Sequence, residues 1–252
     1  MTVSEQRDAG QSTNRFYDSY VSTTEAGNSN TEANTFTYRR QIRPYLPEGP
    51  AQLRILDIGC GQGHLVQIML TDGLDAYGVD ISPEQVALAR SRGLDRVELG
   101  DFRSWLATEH AWDAVIATDI LEHLGKDDVM RTFDQVARAL KPGGVFVARV
   151  PNAVSPTGGN IMYGDITHQT WFTQRSLAQL AAVAGFESVR FAACTPPVHG
   201  FRSLLRAGVW RAFSAVWKAS LVAETGRVRG HIVTQNLVCV AQASRSPGER
   251  LT

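Results

Sequence analysis

Residues 53–63 read LRILDIGCGQG, and this stretch decides the fold. Its apolar first half ends in glycine, a pattern typical of a buried parallel strand. Three glycines follow at alternate positions, Gly59, Gly61 and Gly63. Glycine suits a strand-to-helix turn because the backbone turns sharply there and approaches a ligand with no Cβ in the way. Packing alone also selects glycine at such turns, so the segments downstream must decide between these two interpretations.

Strand-like and helix-like segments alternate along the chain after this turn. The strand-like segments are DAYGVDI (75–81), RVELGD (96–101), WDAVIATDI (112–120), VFVARVP (145–151), ESVRFAAC (187–194) and LVCVAQA (237–243). Between them, Ser82 and Pro83 start one helix, and residues 127–144 predict another with Lys141 in its last turn. The order predicts an α/β fold, a Rossmann-like and mostly parallel sheet of seven strands with helices on both faces.

Composition narrows the classes of function. Apolar residues make up 43% of the 252 residues and charged residues 20%, as in an ordinary globular protein. Basic and acidic residues number 25 each, so no overall field attracts nucleic acid, and no such partner is expected. Three widely spaced cysteines indicate a reducing compartment. No secretion signal or membrane span is evident, which predicts a cytoplasmic location.

The chain is interpreted as one domain with two additions. Residues 1–35 are poor in aliphatic side chains and are predicted to form a flexible N-terminal extension to a single domain over 36–252. The core of that domain is predicted over 53–194 and 237–243. A helical insertion or lid over 195–236 separates the last two strands.

The insertion contains an amphipathic helix. Its apolar face consists of Leu205, Val209, Phe213 and Val216. This face is predicted to pack on the edge of the domain. A lid, a dimer interface and a helix on a membrane surface are the alternatives. The membrane surface ranks last, because Arg202 and Arg206 interrupt the apolar side.

Acidic residues end the three strands that follow the glycine-rich turn. Asp80 ends the second strand about 20 residues on, where a carboxylate can accept from both hydroxyls of a ribose. Asp101 ends the third strand beside Phe102, in position to bind an adenine, and Asp119 ends the fourth. For any one of these acids alone, capping of a helix N-terminus is the better explanation. Together, at the edge where open α/β sheets bind ligands, they favour a nucleoside.

The glycine-rich turn does not suit a pyrophosphate. A dinucleotide fold has GxGxxG at this position, whereas residues 59–64 read GCGQGH, and Asp57 comes just before them. A carboxylate there repels phosphate and suits an amino group or a sulfonium ligand. The turn therefore favours S-adenosylmethionine over NAD.

Taken together, the chain resembles the class I S-adenosylmethionine-dependent methyltransferases. The motifs that carry the resemblance are LDIGCGQGH (56–64), GVDIS (78–82), GDF (100–102), TDILEHL (118–124) and LKPGG (140–144). The resemblance implies that the three glycines wrap the methionine part, that Asp80 holds the ribose, and that Asp101 and Phe102 hold the adenine. It also implies an antiparallel seventh strand. The predicted cofactor-binding set is Asp57, Gly59, Gly61, Gly63, Asp80, Ile81, Asp101, Phe102 and Asp119.

Two polar loops are candidates for the chemistry of transfer. One is TDILEHL, with Glu122 and His123, and the other is NIMYGDITHQTWFT (160–173), with Asp165 and His168. An aliphatic hydroxyl needs a base or a metal to take up its proton, because its own acidity is too low. In one interpretation His168 is the general base, oriented by Asp165, with His123 also catalytic.

In a second interpretation the same loops bind a divalent cation. Glu122, His123 and His168 would then be metal ligands, and their oxygen and imidazole donors suit Mg²⁺ or Mn²⁺. The pattern partly resembles the metal-dependent small-RNA 2′-O-methyltransferases. A third interpretation is structural: Glu122 and His123 shape the cofactor pocket and start the next helix, with no metal.

The acceptor is predicted to be a saccharide or another small hydroxylated molecule. Residues 163–173 are similar to methyltransferases of bacterial polysaccharide gene sets, which implies a sugar hydroxyl as acceptor. Aromatic residues that would stack on sugar rings are Tyr163, Trp171, Phe172 and Trp210. A quinone, lipid or natural-product acceptor is the alternative, and a non-catalytic cofactor-binding module is another. A homodimer is a further arrangement that the sequence leaves open.

Overall fold

The structure is a computed structural model that describes residues 31–48, 52–196, 198 and 200–245. The strands are β1 (Arg54–Ile58), β2 (Asp75–Asp80), β3 (Val97–Leu99), β4 (Trp112–Thr118), β5 (Leu140–Pro151), β6 (Ser188–Ala193) and β7 (Asn236–Gln242). The helices are α1 (Thr31–Thr37), α2 (His64–Thr71), α3 (Pro83–Ser91), α4 (Phe102–Trp105), α5 (Lys126–Ala139), α6 (Gly158–Met162), α7 (Gln174–Val183) and α8 (Gly200–Thr225). A π-helical turn and a 3₁₀ turn continue α1 through Tyr45, and Leu121–His123 forms another 3₁₀ turn.

The seven strands form one sheet in the order β3-β2-β1-β4-β5-β7-β6. The strands β1 to β5 are parallel, and β7 is antiparallel to both β5 and β6. The predicted sheet and its antiparallel seventh strand are therefore confirmed. The order reverses between β1 and β4, and the carboxyl ends of these strands meet at the crevice where open α/β sheets bind ligands.

Two hydrophobic clusters cover the two faces of the sheet. One cluster includes Phe133 of α5 and Leu177 of α7, packed against residues such as Phe146 of β5. The other includes Met69 of α2 and Val86 of α3. Because helices cover both faces, the parallel strands read as continuous apolar runs, as the sequence indicated.

The segment before β1 is attached to the domain. Tyr38 is fully buried in the second cluster, and its hydroxyl donates to Asp72 over 2.9 Å. The Arg39 guanidinium bonds the other oxygen of the same carboxylate at 2.8 Å. Helix α1 spans the boundary at residue 35 that the sequence suggested for a flexible extension. Residues 1–30 of that predicted extension lie outside the described residues.

The helix predicted over residues 127–144 ends earlier than the sequence indicated. Helix α5 stops at Ala139, and Lys141 belongs to β5. The pairing of β4 and β5 shifts register opposite this segment, where Gly143 has a φ of 77°. The Lys141 ammonium bonds Asp113 of β4 at 2.8 Å. The KPGG segment is therefore an irregular start of the strand. Its glycine and proline residues suit the irregular backbone of a β-bulge.

The insertion before β7 is helical as predicted, but its packing face is different. Helix α8 runs for 26 residues. The face predicted to pack is exposed, with Leu205 62%, Val209 65%, Phe213 48% and Val216 67% accessible. Ser214 is the buried residue of this helix, and the Trp217 indole donates to the Val154 carbonyl at 3.1 Å. Helical periodicity identifies an apolar face, but it does not say which face meets the domain.

None of the helices in the described ranges combines the length and apolarity needed to cross a bilayer.

Substitution of Gly63 tests how tightly α2 packs at its start. Gly63 has a φ of +71°, and a Cβ there would lie 2.6 Å from the Val97 side chain. Gly73 has a φ of +79° but no neighbouring atom within 4 Å, so it is a matched control. We expect Gly73→Ala to cost about 1–2 kcal/mol through backbone strain alone. Gly63→Ala should cost roughly a further 1–3 kcal/mol through overpacking, measured by urea unfolding. Equal losses in the two variants would contradict this packing.

Candidate active site

A cavity of about 420 Å³ opens at the carboxyl ends of β1 to β4. Seven residues of the predicted cofactor-binding set line it: Gly59, Gly61, Asp80, Ile81, Asp101, Phe102 and Asp119. The topology explains this convergence, because successive parallel strands deliver their carboxyl-terminal loops to one edge. The structure thus brings together residues that are up to 60 positions apart in sequence.

Asp80 ties the glycine-rich turn to the start of α3. One carboxylate oxygen accepts the amide N–H of Gly61 at 2.8 Å, and the other accepts that of Ser82 at 2.8 Å. Burial raises the pKa of this carboxyl, and the backbone N–H groups oppose the rise. Each oxygen keeps a lone pair beyond these bonds, so the side chain can still accept hydroxyl protons from a ligand.

Two members of the predicted set, Gly63 and Asp57, are not among the residues lining the cavity. The missing side chain of Gly63 makes room for Val97 and Leu94, so the need for glycine there comes from packing. Asp57 lies beneath the turn and is 1% exposed. Burial, with a smaller contribution from the charge of Asp80, raises the pKa of Asp57 to about 8.

Asp101 and Phe102 begin the short helix α4. Asp101 is its N-cap, and its carboxylate accepts the amide N–H of Arg103 at 2.9 Å. The side chain is about half exposed and still lines the cavity, so capping and ligand contact are compatible. Phe102 is 9% exposed and presents an apolar surface to the same space.

Sequence reasoning missed several residues that line this cavity, among them Gln85, Ile120, Leu124 and Gln169. Gln85 lies in the first turn of α3 and approaches Gly61. The side-chain amide of Gln169 donates to the His123 carbonyl at 2.8 Å. Ile120 and Leu124 belong to the TDILEHL motif but are apolar, so the motif pointed to its acidic and imidazole side chains instead. Gln85 and Gln169 contribute by their place in the fold.

A second cavity, of about 310 Å³, lies next to the first. An ion pair joins the two cavities: Asp119 lines the first, Arg149 lines the second, and their side chains meet at 2.8 Å. Asp119 adopts a φ of +53°, which is uncommon for a residue other than glycine. The second cavity is lined by Ala33, Phe36, Thr37, Gln41, Arg149, Thr157, Cys194, Thr195, Pro196, Trp210, Thr234, Gln235 and Asn236. Sequence reasoning missed Arg149, although an arginine within the apolar strand VFVARVP was a visible signal.

Glu122, His123 and His168 come together behind the first cavity. Their ligand atoms all lie within 4.8 Å of one another. Glu122 Oε2 and His168 Nδ1 are buried, and within the described residues neither has a hydrogen-bond partner. The two imidazole rings stand edge to face with centroids 4.6 Å apart. Buried polar atoms are nearly always paired, so two orphans in one cluster point to an unseen ligand.

Asp165 contacts His123 through the Thr167 hydroxyl, whereas the sequence predicted that it orients His168. Its carboxylate accepts the Thr167 hydroxyl at 2.6 Å, and this hydroxyl lies 2.7 Å from His123 Nδ1. The hydroxyl thus donates to Asp165 and accepts from Nδ1, which fixes the tautomer of His123. The sequence spacing suggested an Asp165–His168 pair, but the turn directs the carboxylate to Thr167 instead.

Burial sets the charge states in this cluster. Desolvation, together with the nearby charge of Asp119, raises the pKa of Glu122 well above its ordinary value. Desolvation and the adjacent His168 lower the pKa of His123 to about 4. His123 is therefore a neutral imidazole at physiological pH, the form in which histidine binds a metal.

The aromatic residues suggested for sugar stacking do not form a platform. Phe172 is 1% exposed and belongs to the core, while Tyr163 and Trp171 contact each other at the surface. Trp210 alone of the four lines one of the two cavities described here. The four side chains do not share one surface, because the adjacent residues Trp171 and Phe172 face different sides of the fold and Trp210 belongs to α8.

Comparison with known proteins places this site in a family. A family profile described as a methyltransferase domain matches residues 32–190, which is more than half of the chain. The match covers β1 to β5 and all the residues of the first cavity.

Curated relatives match over a shorter part of the chain. The ubiquinone biosynthesis O-methyltransferase of Xanthomonas oryzae is 38% identical over 100 residues, which are 37% of this chain and 41% of that protein. The cyclopropane-fatty-acyl-phospholipid synthase of Escherichia coli is 36% identical over 99 residues, 38% of this chain and 25% of that protein. The chain therefore matches less than half of the length of either relative.

Solved structures share the fold at low identity. A SAM-dependent methyltransferase from Archaeoglobus fulgidus has a TM-score of 0.65 at 21% identity, covering 89% of this chain and 100% of that one. Phosphoethanolamine N-methyltransferase 2 of Haemonchus contortus, solved with S-adenosyl-L-methionine, has a TM-score of 0.58 at 20% identity, covering 85% and 53%.

Substitution of Asp57 tests its burial. Its folded-state pKa near 8 exceeds the value near 4 of an unfolded chain. Its contribution to stability is thus full below pH 4 and is lost as the pH rises toward 8. At pH 7 the loss of folding free energy is at most about 4 kcal/mol, because one pH unit between the two pKa values corresponds to 1.36 kcal/mol. We expect Asp57→Asn without ligands to raise Tm at pH 7.5, and much less at pH 5. The exposed Asp95→Asn is the control, and equal responses of the two variants would refute the shift.

Proposed function

The chain belongs to the methyltransferase domain family, and from this we propose that it methylates a hydroxyl of a small, partly apolar acceptor of the quinone, lipid or natural-product class. The methyl donor of this enzyme is S-adenosylmethionine, which supplies an electrophilic methyl group on a sulfonium. The observation that carries the proposal is the pair of adjoining cavities, one matched to the donor and the other free for an acceptor.

The first cavity fits the donor through the chemistry of its walls. Gly61 has a φ of +54° and room at its Cβ position, so its backbone can approach a ligand closely. The proposed role of Asp80 is to accept from the ribose hydroxyls, and that of Asp101 to accept from the adenine amino group. Phe102 would pack on the adenine ring. Asp57 and Gly63 then support the turn from beneath rather than touching the ligand.

The second cavity suits an acceptor with an apolar body and a few polar groups. Phe36, Pro196 and Trp210 provide apolar surface, while Arg149 and Asn236 provide donors. Most small-molecule sites combine an apolar lining with a few placed polar groups. Arg149 reaches the donor site through Asp119, so an acceptor bound here lies on the proper side for transfer.

The predicted sugar acceptor loses support on two grounds. The predicted stacking residues do not share a surface, and the curated relatives are named for ubiquinone biosynthesis and for a fatty-acyl phospholipid. These names describe the relatives, and they favour an acceptor with apolar character here. We therefore rank the quinone, lipid or natural-product class above a saccharide.

A bound divalent cation is the second part of the proposal. Glu122, His123 and His168 are the proposed ligands, and two of their buried atoms have no other partner in the described structure. Two imidazoles and one carboxylate suit Mn²⁺ better than Mg²⁺, which prefers oxygen ligands alone. A cation here would polarise the acceptor hydroxyl. Without a cation, His168 is the proposed base, with His123 held by Thr167 beside it.

The acceptor class is tested with labelled S-adenosylmethionine and a panel of phenols, hydroxylated lipids and saccharides. We expect transfer to phenols or lipids, abolished in Asp80→Ala. Trp210→Ala should raise KM for the acceptor by roughly tenfold, because the apolar contact between the indole and the acceptor is lost. The partly exposed Trp171→Ala serves as the control with unchanged KM.

Transfer to saccharides alone would restore the sugar acceptor. Saturable binding of S-adenosylmethionine without transfer to any acceptor would instead indicate a non-catalytic cofactor-binding module.

The cation is tested by titrating the protein with Mn²⁺ and following the free ion by electron paramagnetic resonance. We expect one Mn²⁺ per chain, with affinity lowered about tenfold or more in Glu122→Gln and in His168→Ala. Glu109→Gln and His231→Ala lie outside the cluster and serve as matched controls. If the wild-type protein binds no Mn²⁺, or if both cluster variants bind it unchanged, the cation is excluded and His168 remains as the base.

A further inference from the structure

Helix α8 touches the rest of the domain along one narrow side. Ser214 is buried, and Ser203, Ala207, Trp210 and Leu221 are half-buried at intervals of three, four or seven residues. These spacings place all five on one side of the helix, since residues three, four and seven apart share a face. The helix is about 39 Å long at 1.5 Å per residue, so most of its surface is free of the domain.

The opposite side of α8 is apolar and exposed. Phe201 is 80% accessible, Leu205 62%, Val209 65% and Val216 67%. The residues between them on this side are small, including Gly208, Ala212 and Ala219. At 100° per residue, an arc of about 140° contains no charged side chain. Contiguous apolar surface of this kind marks a contact with a partner or a membrane.

Basic side chains border this apolar arc on both sides. Arg211 and Lys218 lie along one border, and Arg202 and Arg206 lie along the other. The helix carries these four cations and one acid, Glu224, in a chain of zero net charge. The sequence suggested that the arginines interrupt the apolar side. Since the exposed arc faces away from the domain, they flank it instead.

This arrangement complements an anionic lipid surface. The apolar arc can enter the boundary between headgroups and acyl chains, while long basic side chains extend to phosphates at either border. A second copy of the chain is a poor match. Whether two such helices pair parallel or antiparallel, each basic row meets another basic row, and like charges repel.

We propose that α8 seats this protein on the surface of an anionic bilayer through the face that contains Phe201, Leu205, Val209 and Val216. The helix then lies in the plane of the membrane, with the domain on its aqueous side.

The position of α8 connects this surface with the second cavity. Thr157 and Trp210 line that cavity and also line an apolar groove along α8 that includes Leu205 and Val209. An amphiphilic acceptor could pass along this groove from the bilayer into the cavity. This consequence rests on the proposed function, whereas the docking itself does not.

Vesicle flotation of the full-length protein tests the docking. Vesicles of phosphatidylcholine with 30% phosphatidylglycerol are compared with vesicles of phosphatidylcholine alone, at low and high salt. We expect at least tenfold more bound protein on the anionic vesicles, and a loss of binding in high salt because the basic rows are screened. The double variant Leu205→Gln/Val209→Gln should bind at least fivefold less. Arg202→Glu/Arg206→Glu should also bind at least fivefold less.

Val183→Gln is the matched control, because Val183 is an equally exposed aliphatic residue on α7, 83% accessible. It should float as the wild type does. Wild-type protein that stays unbound, or Leu205→Gln/Val209→Gln floating unchanged, would overturn the proposal. So would a dimer in sedimentation that Leu205→Gln/Val209→Gln dissociates, since the face would then join two copies. Binding of S-adenosylhomocysteine, measured in parallel, reports separately on the donor site.

Discussion

The Asp80 carboxylate is the contact on which the first cavity depends. It holds the amide groups of Gly61 and Ser82, each at 2.8 Å, and so joins the glycine-rich turn after β1 to the helix after β2. The turn has positive φ angles at Gly59, Gly61 and Gly63, a conformation that glycine adopts without steric cost. Because this carboxylate holds the turn in place, the turn leaves the crevice open for a ligand. A ligand that donates hydrogen bonds to the remaining lone pairs meets a preformed site.

The Asp119–Arg149 ion pair connects the walls of the two cavities. Two adjacent parallel strands, β4 and β5, deliver an acid and a base to neighbouring positions, and the partial burial of Arg149 favours the pairing. The pair forms a shared wall, so the two cavities adjoin without merging. The cluster of Glu122, His123 and His168 lies close by, and its unpaired buried atoms are a cost that a ligand would offset.

Helix α8 shows how an insertion adds a surface without altering the sheet. Strands β6 and β7 pair along their whole length although the insertion separates them in sequence. The helix therefore does not need to contribute to the core, and only Ser214 of its residues is buried. Its apolar residues remain available for a partner outside the domain, and its Trp210 contributes to the second cavity.

The sequence by itself determined the sheet, because apolar periodicity, glycine turns and helix caps are local signals that repeat at each strand. It also indicated several residues that line the first cavity, since the carboxyl ends of parallel strands must meet at one edge. Only the tertiary structure decided which residues touch across the fold: Asp165 turned to Thr167 rather than His168, Arg149 reached Asp119, and α8 turned its apolar face outward. These outcomes depend on side-chain directions and on the packing of distant segments, and no pattern within a single segment encodes them.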